Sequence, residues 1–217
     1  NSTYIEAEVV VNKGFEEKVA EAVNQIAEDG FGNIYETGNF WATVDFDPSV
    51  NNYNLSSAGL TDIFIGKLDA SGNFLWTKRT GSTGSDIGNS IAVDAAGNCY
   101  SGGKFQSTVD FDPSAVVFNL TSAGGDDACI VSYSTNGDFI WAVKFGGSGS
   151  DYIESLVEKD GYIYATGYFQ GTVDFDPGAG VFNLTVQSDG AFIVKLDAAG
   201  NFVWAKSISG TSSVINF

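Results

Sequence analysis

The sequence predicts an all-β protein built from three copies of one four-stranded antiparallel unit. Three observations carry that prediction. The hexapeptide Thr-Val-Asp-Phe-Asp-Pro stands at 43–48, 108–113 and 172–177, so Asp45, Asp110 and Asp174 lie 65 and then 64 residues apart. A fixed period of that size marks a repeat architecture. Glycine is abundant, at 27 residues, aromatics reach 14% and charged residues only 17%, a mix suited to many short strands and tight turns. Trp76, Trp141 and Trp204 recur at one position of the unit. A large aromatic repeated once per unit is most simply the packing contact between neighbouring units.

Residues 1–20 match no repeat well. Tyr-Ile-Glu-Ala-Glu-Val-Val-Val at 4–11 is rich in β-branched residues and reads as a strand, and Lys13-Gly14 as a turn. The stretch 15–29 points two ways. Phe15, Val19, Ala22 and Ile26 are spaced as on one helical face, yet Gln25–Asp29 stands where Ser90–Asp94 stands one period later. The repeat decides for a strand over 22–28 and leaves 15–21 open. The first unit then has strands at 22–28, 33–40, 62–68 and 74–79. The second has them at 89–94, 99–105, 128–134 and 139–145, and the third at 152–158, 162–169, 191–196 and 202–208. Four sequential antiparallel strands make a meander, the unit of a propeller blade. The segments are therefore 1–20, blade 1 at 21–80, blade 2 at 81–145, blade 3 at 146–208, and 209–217 as the start of a further blade or an inter-chain strand.

One turn chemistry serves both hairpins of the unit. Asp69-Ala70-Ser71-Gly72-Asn73, Asp94-Ala95-Ala96-Gly97-Asn98 and Asp197-Ala198-Ala199-Gly200-Asn201 all begin with Asp and end Gly-Asn. The Asp side chain caps backbone N–H groups of its own turn and Gly supplies positive φ. The alternating ligands and closing Glu of a calcium loop are missing.

These residues resemble the bacterial β-propeller repeats called SBBP. The likeness rests on Ile91-Ala92-Val93-Asp94 with Gly97-Asn98 and Tyr100, on Gly103, on Gly125-Asp126-Asp127, on Lys195-Leu196-Asp197, on Trp141 and Trp204, and on the Gly-Gly-Ser-Gly-Ser-Asp linker at 146–151. It covers roughly 21–208. The resemblance implies a secreted or surface-displayed bacterial protein, a seven-bladed closed ring and no catalytic signature. Three units depart from that ring, because a propeller needs about four to eight blades. Residues 212–217 fall where a fourth first strand would begin. The expected partners are therefore other copies of the chain or the remainder of a longer chain, with the 4–11 strand adding to an unfinished edge. Such head-to-tail pairing gives a ring if it closes and a filament if it does not.

Composition narrows function. The formal charge is −17, from 10 basic and 27 acidic residues. That surface repels nucleic-acid phosphates and anionic lipid and attracts divalent cations, although acidity also simply keeps a β-rich protein soluble. Histidine is absent, which removes Ser-His-Asp and Cys-His nucleophile systems. No apolar run is long enough to cross a bilayer. No catalytic residues are assigned, and the protein is expected not to be an enzyme. The lack of an initiator Met suggests a processed or incomplete chain.

The candidate site residues are mostly repeated. Asp45/Asp47, Asp110/Asp112 and Asp174/Asp176 flank the motif's Phe, and Asp62, Asp127 and Asp189 precede the third strands. Converging carboxylates would suit Ca²⁺, the one cofactor considered; the competing reading is that each Asp caps the turn ended by Pro. Asn1, Asn54, Asn119 and Asn183 begin Asn-x-Ser/Thr acceptors. Trp41 and Tyr53 are the loop aromatics for a ligand. Cys99 and Cys129 replace apolar positions, and pairing of the second and third strands sets them about four residues apart, too far for a disulfide. The sequence therefore points to a non-enzymatic extracellular or cell-surface structural or interaction protein that self-assembles through terminal strands. The alternative is a carbohydrate- or peptide-binding propeller module of a larger secreted protein.

Overall fold

A computed structural model describes residues 20–208, so the expected strand at 4–11, the acceptor Asn1 and the segment 209–217 lie outside the described residues. The described chain is all β, in three four-stranded antiparallel sheets that form propeller-like blades and leave the ring unclosed. Blade 1 comprises β1 (Glu21–Glu28), β2 (Ile34–Phe40), β5 (Asp62–Leu68) and β6 (Phe74–Thr80), in that spatial order. Between its middle strands lie β3 (Thr43–Asp45) and β4 (Asn54–Ser56), paired only with each other. Blade 2 repeats the plan with β7 (Ile87–Val93), β8 (Cys99–Phe105), β11 (Asp127–Tyr133) and β12 (Phe139–Phe145), plus β9 (Thr108–Asp110) and β10 (Asn119–Thr121). Blade 3 comprises β13 (Tyr152–Lys159), β14 (Tyr162–Asp174), β15 (Asn183–Asp197) and β16 (Phe202–Ile208).

The ambiguous 22–28 stretch is a strand, as the repeat required. The connection between second and third strands corrects the sequence reading. It is a hairpin arm: Thr-Val-Asp is a strand and only Phe-Asp-Pro turns. In blade 3 the arm is continuous with β14 and β15, through a bulge between Gln170 and Thr172. Gly171 in that bulge is left-handed at φ 69°, and Ala42 and Ser107 hold the same place in blades 1 and 2 at φ 62° and 63°, a conformation that a non-glycine residue adopts less readily. The arm's Phe folds back onto its own blade. Phe111 and Phe175 are fully buried, edge-on to Phe105 and Phe169 at 5.3 and 5.4 Å.

Period-2 alternation puts a separate apolar set on each sheet face. In β11, Cys129, Val131 and Tyr133 join a core shared with blade 1, while Ala128 and Ile130 join one shared with blade 3. The first strands pack together, β7 against both β1 and β13. Each carries a bulge at the same place, at Asn24, Asn89 and Glu154. Gly103 is obligatory opposite it, since a Cβ there would collide with the Ile87 carbonyl. Cys99 pairs with Tyr133 and Cys129 with Gly103, so the thiols are four residues apart along the ladder, free and buried.

Candidate functional site

The contact that joins one blade to the next is built from a turn, a tryptophan and a bulge. In the turn, Asp197 Oδ1 accepts the N–H groups of Ala199 and Asn201 at 2.9 Å each, and Oδ2 accepts the Asn201 amide. The same pattern fixes the turns at Asp69 and Asp94, and at Asp29. This capping holds the second residue's carbonyl outward, toward the preceding blade. Trp76 Nε1 donates to Thr135 O at 3.1 Å, and Trp141 Nε1 to Ala198 O at 3.0 Å. The rings lie over the turn glycines: a Cβ on Gly137 or Gly200 would sit 2.9 Å from Trp76 Cδ2 or Trp141 Cδ2. Lys67 adds its ammonium to the Thr135 carbonyl and hydroxyl at 3.1 and 2.7 Å.

The bulges complete the joint near the first strands. Asn24 Nδ2 donates to Gly88 O at 2.8 Å, and Asn89 Nδ2 to Ile153 O at 2.7 Å. One residue on, Gln25 Oε1 accepts the Ile91 N–H at 2.7 Å and Ser90 Oγ accepts that of Leu156 at 2.9 Å. Backbone carbonyls and N–H groups are thus received by side chains of the preceding blade, whatever side chains the next blade carries.

Blade 3 turns the same face outward. Trp204 is half-buried against Tyr164, 6.4 Å between centroids, and no described carbonyl receives its indole N–H. Lys195, the counterpart of Lys67, lies over the rings of Tyr162 and Tyr164 at 3.6 and 5.0 Å. Ile65 and Ile130 are fully buried, whereas Ile193 at the same position is only partly so. Tyr35 is sealed and Tyr164 is not. On the opposite end, the turn glycine of blade 1, Gly72, has nothing within 4 Å where a Cβ would stand. The described blades therefore end with donors on blade 3 and an empty turn seat on blade 1.

Buried carboxylates stand at the start of the third strands of blades 1 and 2 and in the linker that follows each. Asp62 and Asp127 are fully buried; Oδ2 accepts the N–H of Ala58 or Ala123 at 3.0 Å and pairs with Arg79 or Lys144 at 3.1 Å, while Oδ1 has no partner. Asp86 follows in the linker, accepting from the N–H groups of Ser82 and Gln106. Burial, reinforced by the Asp62 charge, pushes its carboxyl up to about 6. Asp151 repeats the arrangement with Gly147 and Gln170, and burial raises it too.

The register corrects one grouping made from the sequence. Phe40 faces Asp62, Phe105 faces Asp127, and Phe169 faces Gly190. Gly190 is thus the counterpart of the buried carboxylates, and Asp189 matches Asp126 instead, each accepting a Gln amide at 2.7 Å. β15 is a residue short between Asn183 and Gly190, against Asn54–Asp62 and Asn119–Asp127, which displaced the match. Ser207 stands where Arg79 and Lys144 stand, so blade 3 lacks both halves of the ion pair.

The motif carboxylates serve the arm. Asp45, Asp110 and Asp174 each accept two N–H groups through Oδ1, one from Asp47, Asp112 or Asp176 and one from Tyr53, Phe118 or Phe182. Asp47, Asp112 and Asp176 each cap the N–H two residues on at 2.9 Å. Among the described residues, no three His, Cys, Asp or Glu side chains gather to hold a metal ion. Asn54, Asn119 and Asn183 are exposed on the arms, opposite the capping Asp residues. Tyr53 belongs to a recurring contact, stacking on Phe74 at 4.8 Å as Phe118 does on Phe139 and Phe182 on Phe202, with its hydroxyl donated to Thr77 O. Trp41 is 43% exposed beside a shallow depression lined by Ser57, Leu60 and Thr61. It occupies the place where Gln106 and Gln170 clasp the preceding linker. Sequence reasoning missed the joint residues Asn89, Ser90 and Glu154, whose only signal was their place one residue apart from the repeat's apolar positions.

No family model matches the chain. It is 27% identical over 220 residues, 88% of its length, to an uncharacterized WD repeat-containing protein of Acanthamoeba polyphaga mimivirus. It is 25% identical over 154 residues, 69% of its length, to the regulatory protein FlaEY of Caulobacter vibrioides. The chain spans 16% of the length of each of these relatives. The similarity to a WD repeat-containing protein agrees with a repeat-built interaction fold.

Proposed function

We propose that the chain is a non-catalytic interaction module of propeller blades, whose outward face on blade 3 docks a further blade of the same kind. The carrying observation is the repeated joint. Trp76 and Trp141 each reach a turn carbonyl of the following blade, and Trp204 presents the same donor with no described acceptor. The docked blade belongs to a second copy or to a longer chain, and the resemblance to SBBP repeats supports a place outside the cell or on its surface. The absence of histidine and the threefold equivalence of the acidic motif support a role without catalysis.

Sedimentation equilibrium of the chain tests this, because the joint recognises backbone and copies offer the Gly72 turn. Copies should associate, and Trp204→Ala should lower the association constant by about tenfold or more, as loss of a buried aromatic anchor does. Equal association of wild type and Trp204→Ala would remove the blade 3 face as the docking surface.

A further inference from the structure

The joint is not the same at its third occurrence. At the first-strand bulge, blades 1 and 2 carry Asn24 and Asn89, whose amides donate to the carbonyls of Gly88 and Ile153. Blade 3 carries Glu154 at that bulge, exposed and without a hydrogen bond to any described residue. A carboxylate only accepts. Set against a carbonyl, it leaves two acceptors facing each other at a part-buried point of the joint where blades 1 and 2 place a donor, and a repulsive contact of that kind discriminates between partners.

The neighbouring positions show no such change. Ser155 keeps the hydroxyl with which Ser90 accepts the Leu156 N–H. Trp204 and Lys195 keep the donors for a turn carbonyl. Blade 1 of a second copy would satisfy these through the Ala70 carbonyl and the open Gly72 seat. At the first-strand bulge it would fail. Its counterpart of Gly88 and Ile153 is Val23, paired with Gly38 as Gly88 is with Gly103, and Val23 offers a carbonyl to Glu154.

Resting on the docking face proposed above, we propose that Glu154 selects a partner blade that presents a hydrogen-bond donor or a cationic side chain at its first-strand bulge, in preference to a second copy of this chain. The occupant is thus a propeller blade with Lys, Arg, or a free N–H where Gly88 and Ile153 have a bare carbonyl. Glu154 is a specificity determinant; Trp204 and Lys195 provide attachment common to every blade.

The test is sedimentation equilibrium of the full chain as wild type, Glu154→Asn, Glu154→Gln and Glu154→Asn with Trp204→Ala. Restoring the amide that blades 1 and 2 use should raise the self-association constant about tenfold, the effect of one regained hydrogen bond in place of a repulsive contact. Adding Trp204→Ala should abolish that gain. Glu154 is exposed, so its variants should fold, which circular dichroism checks; Glu154→Gln supplies the same donor on the native side-chain length. If neither amide variant strengthens association while Trp204→Ala still weakens it, the selection by Glu154 is wrong and the docking face stands. If no variant associates at all, the docking face falls and the selection with it.

Discussion

The indole N–H of Trp76 donates to the Thr135 carbonyl at 3.1 Å, across 59 residues of sequence and from one blade to the next. The acceptor stands outward because Ser134 caps its own turn, receiving the N–H groups of Asn136 and Asp138 on its hydroxyl. A local turn thereby becomes the latch of a tertiary interface. The donor comes from a ring that is 9% exposed and edge-on to Tyr35.

Trp76→Phe and Trp141→Phe should each lower unfolding free energy by about 1 kcal/mol, since each deletes an indole hydrogen bond across a joint, with Lys67 still serving the Thr135 carbonyl after the first. Trp204→Phe should change it by less than about 0.5 kcal/mol, because no described carbonyl receives that donor. Urea denaturation of the three variants checks the contrast. Equal losses at all three would show that ring size, and not the hydrogen bond, sets the effect.

Gly81→Ala and Gly146→Ala should be strongly destabilising. A Cβ at either would run into the buried carboxylate of Asp62 or Asp127, which has an Arg or Lys partner to lose as well. About 2–3 kcal/mol is expected from overpacking and disturbance of a buried ion pair. Gly72→Ala is the comparison. Its φ is 78° with open space around it, so only backbone strain of about 1 kcal/mol applies. Thermal melts of the three should therefore order with Gly72→Ala least affected.

Stability should fall as pH rises from about 4 toward 7. Burial raises the carboxyls of Asp86, to about 6, and of Asp62 and Asp151. The folded chain then holds protons that the unfolded chain has released, so these groups contribute stability below their ordinary value of 3.8 that is lost as pH passes the folded values. Asp29, Asp69 and Asp197 act oppositely, hydrogen bonds from the Asn side chain and backbone N–H groups of their own turns holding each carboxyl below its ordinary value, so they temper the fall. Melting temperature across this range is the measurement. A maximum at neutral pH would contradict the assignment, as would a Cγ chemical shift of Asp86 that does not titrate near 6.

Cys99 and Cys129 should resist thiol reagents in the folded protein. Both are buried, and burial pushes the Cys99 thiol up to about 12 and raises Cys129 as well. The thiolate is the reactive form. An aromatic disulfide reagent should find neither thiol in native buffer and both in denaturant. Fast labelling of one in native buffer would mean that the second and third strands of blade 2 open locally.

Much of the blade was legible. The strand over 22–28 was recovered by placing Ile26 over Ile91, against a helical spacing. The distance between Cys99 and Cys129 followed from antiparallel pairing alone. The arm was not legible as a hairpin, because three-residue strands such as Thr108–Asp110 are too short for alternation to register. Asp189 was misplaced for a related reason: position in sequence counts residues, whereas position in a sheet counts rungs, and one deletion separates the two.

The sequence by itself determined the period, the meander and the turn chemistry, because each depends on residues near one another: Gly for positive φ, Asp for its own turn's N–H groups, alternation for the two faces of a strand. Only the tertiary structure decided what those pieces are for. The motif Asp110 accepts N–H groups from Asp112 and from Phe118 across the arm, eight residues away. Trp76, Trp141 and Trp204 are one residue type at one repeat position, yet two are latched and one presents its donor outward. That difference comes from which blade lies beyond, a relationship across some sixty residues that no local pattern encodes. It is also what makes Glu154, unremarked in the sequence, the residue on which partner choice is proposed to turn.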